Sequence, residues 1–186
     1  MYFDEAVAKL REVAETLRPG DVLYVGYILP WAQEKRTLVV RPNIELLNRL
    51  ATANCDQYFC PELDELHADY QQQIDSLEFK NLRQTDVYGS VYFAGTILQN
   101  ATQPVKILLV FSDLGDTVKR TDLRDQTNLE GVTVRVLFFP TQIRTDPRDP
   151  GGSVNPAYWI AEFTKMGSDD VELWDRVRSG RENLNE

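Results

Sequence analysis

The apolar run KILLVF (106–111) passes directly into SDLGDT (112–117), which puts Ser112, Asp113, Asp116 and Thr117 in one short loop. A second polar group, Thr85-Asp86 with Ser90, opens the helical pattern that precedes that run. Hydroxyl and carboxylate oxygens are hard donors, suited to Mg²⁺ and not to zinc or copper. The same residue types have plainer uses: Thr85 or Asp86 as a helix cap, SDLGD as a turn. As an enzyme, the chain would use Asp113 and Asp116 as ligands of a metal-dependent hydrolase or phosphotransferase. Nothing else in the sequence supports catalysis: there is no glycine-rich phosphate loop, no Ser/His/Asp set and no Cys/His pair. His67, the sole histidine, reads as a solvated loop or helix residue, and Trp31, Trp159 and Trp174 read as packing residues. Cys55 and Cys60 admit a small disulfide loop or half a zinc site, but four zinc ligands are not at hand, so two reduced thiols are expected.

The elements that position these groups follow from periodicity. Residues 2–18 repeat apolar side chains at three- and four-residue spacing (Phe3, Ala6, Val7, Leu10, Val13, Ala14, Leu17), an amphipathic helix ended by Pro19-Gly20. DVLYVGYIL (21–29) is apolar enough for a strand buried on both faces, and RTLVV (36–40) returns as an antiparallel hairpin partner. Asn43 caps a short helix, IELLNRLATA; 54–66 reads as irregular and 68–82 as a weak helix. A better helix spans 85–101, with Val87, Val91, Ala94, Ile97 and Leu98 inward. Strands at 106–111 and 132–139, a Pro/Gly/Asp-rich loop at 140–153, the helix PAYWIAEFTKMG and the strand VELW (171–174) complete the pattern. Helix alternating with apolar strand predicts an α/β fold: a Rossmann-like three-layer sandwich, one mostly parallel sheet with an antiparallel edge hairpin and helices on both faces. In such folds the site lies beyond the carboxyl ends of the strands, where SDLGDT falls.

At these residues the chain resembles a von Willebrand factor type A-like domain. The run TDVYGSVYFAGTILQ…KILLVFSDLGDT…LEGVTVRVLFF is similar to that family's second half, and NPAYWIAEFTKMG…VELW to the last helix and strand of its bacterial branch. The likeness spans roughly residues 2–175, leaving 176–186 as a polar tail. The family's first strand and its Asp-x-Ser-x-Ser signature have no counterpart here, so the resemblance implies a single domain, 1–175, that begins one strand late. It further implies a degenerate metal-ion-dependent adhesion site in which only Thr85 and Asp113 match family ligand positions. Mg²⁺ would bind only if the missing ligands come from outside this chain. The function so implied is non-catalytic binding of a protein partner.

Charge narrows the partner. Asp and Glu outnumber Lys and Arg 29 to 20, a net charge of −9 that argues against a nucleic-acid backbone as ligand. No apolar run reaches the roughly 20 residues of a membrane span, and the N-terminus lacks a secretory signal pattern, so a cytoplasmic protein is expected. A missing central strand would leave open sheet edges, and with them self-association.

Overall fold

The computed structural model describes residues 2–30, 38–53, 55, 59–78, 85–112, 114–115, 118, 120–138 and 156–174. They fall into two compact units, Met1–Tyr27 with Lys35–Asn81, and Ile28–Glu34 with Leu82–Glu186.

The first unit is built around three helices. Helix α1 (Tyr2–Thr16) buries Leu10 and Ala14 from its apolar stripe. Helix α2 (Ile44–Thr52) begins where Asn43 accepts hydrogen bonds from the backbone N–H groups of Glu45 and Leu46, at 3.1 and 3.4 Å. Helix α3 (Pro61–Asp75) starts well before the weak periodicity at 68, because its acidic first turn hides the apolar spacing while Pro61 sets its first position. Leu66, Tyr70 and Ile74, spaced by four, are fully buried along it. Arg11 of α1 pairs with Asp75 of α3 at 2.7 Å, and the ring of His67, half-buried on α3, meets the carbonyl of Leu17 at 2.9 Å.

Strands β1 (Val25–Gly26) and β2 (Leu38–Val40) pair antiparallel, as the hairpin reading requires. They form their own two-stranded sheet and do not join the parallel strands, so the expectation of one sheet is corrected. The cause is local. Around the two-residue strand, backbone groups of 21–29 are engaged elsewhere: Leu23 N–H donates to the Tyr70 hydroxyl, and the Leu29 carbonyl accepts from Asp86 N–H.

The second unit is α/β. Strands β3 (Lys106–Ser112), β4 (Val132–Phe138) and β5 (Asp170–Trp174) form a parallel sheet in the order β3-β4-β5, with Lys106 opposite Val132 and Thr133 opposite Asp170. Helix α4 (Val87–Asn100), a 3-10 segment (Thr121–Gln126) and helix α5 (Pro156–Lys165) supply one core with the sheet, centred on Val91, Val110, Val134, Val136, Trp159 and Phe163. The alternate sheet positions are mixed: Ile107 is half-exposed, while Arg135 pairs with Asp170 at 2.8 Å and Glu172 at 3.1 Å. Gly167, at φ +101°, lets the chain leave α5 for β5 in a conformation that few L-residues adopt. Among the described residues no helix is long and apolar enough to cross a membrane. The loop 140–153 and the tail 176–186 lie outside the described residues, as does Trp31.

Candidate functional site

The carboxyl end of β3 is where the sequence places chemistry, and the loop there is tied at several points. Ser112 Oγ accepts from Leu114 N–H at 2.9 Å. The Leu114 carbonyl accepts the indole N–H of Trp159 at 3.0 Å. Thr85, just ahead of α4, donates its hydroxyl to the Gly115 carbonyl, and its own carbonyl accepts from Val118 N–H at 3.2 Å. The structure therefore brings Thr85 to the loop after β3. Asp113, Asp116 and Thr117 lie outside the described residues.

Leu114 carries the strain of this loop. Its φ of +57° is left-handed backbone, which costs a branched residue about 1–2 kcal/mol. Its side chain is completely buried, a gain of about 1.5–3 kcal/mol that outweighs the strain.

Asp86 caps α4: its Oδ1 accepts from Gly89 N–H at 2.7 Å, its carbonyl accepts from Ser90 N–H and Oγ, and the Arg120 guanidinium lies 3.9 Å from Oδ2. The carboxylate is fully buried, folded back over the first helical turn. A Cβ on Gly89 would lie 2.6 Å from the Asp86 Cγ, so only glycine leaves room for this cap.

Beside the cap lies a second buried acid that sequence reading passed over. Glu162, 1% exposed, accepts from the Tyr88 hydroxyl at 2.6 Å and from Lys165 Nζ at 2.7 Å, with Arg124 at 3.7 Å. Because the Tyr88 proton goes to Glu162, the Tyr158 hydroxyl, 2.6 Å away, donates to the Tyr88 oxygen. Burial pushes the Glu162 carboxyl up, but hydrogen bonds from Lys165 and Tyr88 and the charges of Lys165 and Arg124 outweigh it and hold it below its ordinary value. Burial, then the bonds to Glu162 and Tyr158, pushes the Tyr88 hydroxyl far up, so it stays a donor. Tyr88, Tyr158 and Phe163 surround Trp159 with ring centroids 4.9–5.7 Å away. The signal for Glu162 was present: it shares the inward α5 spacing of Trp159, Phe163 and Met166.

Comparison with family models, with curated proteins and with solved structures finds no match to this chain. Of the hard oxygen donors that the sequence offers around this loop, Thr85 and Ser112 contribute neutral hydroxyls engaged in loop hydrogen bonds. Asp86 is a helix cap facing an arginine. Described residues alone do not make the set of six oxygens that the ion prefers.

The two cysteines correct an expectation. Cys55 and Cys60, expected as reduced thiols, are joined in a disulfide. Their Cα atoms lie 4.7 Å apart, within bonding range.

Two outcomes follow. Replacing a helical glycine by alanine ordinarily stabilises by about 0.5–1 kcal/mol. Gly89→Ala is expected to do the reverse, losing about 0.5–2 kcal/mol as the Asp86 cap is displaced; urea unfolding measures the sign. Glu162 has a lowered folded value, so its contribution is complete above the unfolded value of about 4.3 and is lost as pH falls through the folded one. Glu162→Gln is expected to flatten the acid limb of the stability curve, read from urea midpoints at stepped pH. An unchanged limb would place acid sensitivity in other carboxylates.

Proposed function

We propose that the chain is a non-catalytic protein-binding module of von Willebrand factor type A kind, in the wider sense of a Rossmann-like sandwich, acting in the cytoplasm. Its docking surface is the loop end of the β3-β4-β5 sheet. The observation that carries this reading is the tie between Thr85 and the loop after β3, the two elements that the resemblance pairs. The adhesion site is degenerate and holds no Mg²⁺ of its own; an ion that joins does so with a carboxylate from the partner, in contact with Thr85 and Asp113. The ties of Leu114 to Trp159 and of Gly115 to Thr85 suit this role, since backbone already held in place loses little conformational freedom on docking.

Paramagnetic Mn²⁺, in place of Mg²⁺, tests the surface by NMR. Alone, it is expected to broaden amides weakly and without focus. With a short carboxylate-bearing peptide present, broadening is expected to concentrate at Thr85, Leu114 and Gly115. Focused broadening elsewhere, or none in either case, overturns the docking surface. Hydrolysis of nucleotides or phosphate esters that disappears in both Asp113→Ala and Asp116→Ala would replace this reading with the metal-dependent hydrolase or phosphotransferase.

A further inference from the structure

The two cysteine sulfurs and a carboxylate oxygen of Glu62 all lie within 4.8 Å of one another. Cys60 is nearly buried at the start of α3, while Cys55 and Glu62 are half-buried. With the disulfide formed, this cluster carries a single negative charge. Reduction changes its electrostatics, because two thiolates beside the carboxylate would crowd three like charges into the same span. Such crowding opposes ionisation unless a cation balances it. The start of the 15-residue helix α3 supplies part of the balance to Cys60, and a divalent ion would supply the rest.

We propose that Cys55, Cys60 and Glu62 form a redox-gated site for a thiophilic divalent cation of the Zn²⁺ class. Two sulfur donors and one oxygen select zinc over Mg²⁺ or Ca²⁺, and three protein ligands leave a fourth position to water or a further ligand. With their Cα atoms 4.7 Å apart, the sulfurs can separate by side-chain rotation while α3 stays in place. Helices α2 and α3 also meet through an ion pair, Arg49 with Glu65 at 2.6 Å. Loading is a balanced exchange. A dithiol reductant attacks one sulfur, the S–S bond breaks, and its electron pair leaves on the other sulfur. The reductant's second thiol then closes its own disulfide and releases the first sulfur. The freed thiols lose two protons in all as they take up one Zn²⁺. A small-molecule disulfide oxidant reverses the exchange: it takes the two electrons as it is cleaved to two thiolates, the Cys55–Cys60 bond reforms and the Zn²⁺ is expelled.

The test compares the intact chain in its two redox states. The oxidised protein, and the same protein reduced with a phosphine that is then removed, are titrated with Zn²⁺ against a chromogenic chelator under oxygen-free conditions. One equivalent is expected in the reduced state and none in the oxidised state. Cys55→Ser and Cys60→Ser are expected to abolish uptake, and Glu62→Gln to shift the titration midpoint to higher Zn²⁺. A disulfide that the phosphine does not open, no uptake after reduction, or uptake that survives both serine variants would overturn the site. The wild-type comparison decides even where a serine variant fails to fold, and circular dichroism of both states checks that reduction leaves the helices intact.

Discussion

The second unit turns on one hydrogen bond, from the Trp159 indole N–H to the Leu114 carbonyl. Leu114 occupies left-handed backbone at the end of β3, a conformation that persists only where its surroundings impose it. Trp159 supplies that imposition from α5 while filling the core beneath the sheet. The bond therefore links the packing of a helix to the shape of a loop at the sheet's carboxyl end. Two buried acids of the same unit are each faced by cations. Glu162 is neutralised by Lys165 and Arg124, and Asp86 is spent on capping α4 opposite Arg120. Arg120 and Arg124, four residues apart around the 3-10 segment, thus bind that segment to the starts of two buried networks.

Much of this architecture was legible in the sequence where periodicity is strong. The β3 and β4 strands carry near-continuous apolar runs, and the connection between them, which holds the 3-10 segment Thr121–Gln126, is long enough for the parallel pairing observed. Asn43 as cap of α2 was equally plain, whereas of the inward stripe read for α4 only Val87 and Val91 are buried, with Tyr88, Gly89 and Gly95 in place of Ala94, Ile97 and Leu98. What misled was DVLYVGYIL, whose apolar content suggests a long buried strand. Composition records that such a segment wants burial, but not which partners its backbone takes, and here Tyr70 and Asp86 take two of those groups. Helix α3 was placed late for the opposite reason: its first turn is acidic and lacks an apolar rhythm, although Pro61 marked its beginning.

At the site, residue type identified the loop and left its wiring hidden. Thr85 was legible as a partner of the post-β3 loop, yet its bond to the Gly115 carbonyl depends on tertiary placement. Asp86 and Glu162 show the limit more sharply. Asp86 was legible as a helix cap, but periodicity does not show that it and Glu162 are buried, nor that Arg120 and Arg124 come to face them. The cysteines show it too, since four intervening residues do not reveal that Cys55 lies within bonding range of Cys60 at the start of α3.

Helix α5 holds Leu114, just after β3, through the Trp159 indole. Trp159→Phe removes the indole N–H while keeping an aromatic ring in the core, and amide hydrogen exchange reads the result residue by residue. Protection is expected to fall at Leu114, Gly115 and Val118 while the amides of β4 keep theirs. Equal loss across β4 and the loop would make Trp159 a general packing residue. Unchanged protection at all three loop amides would contradict the account outright.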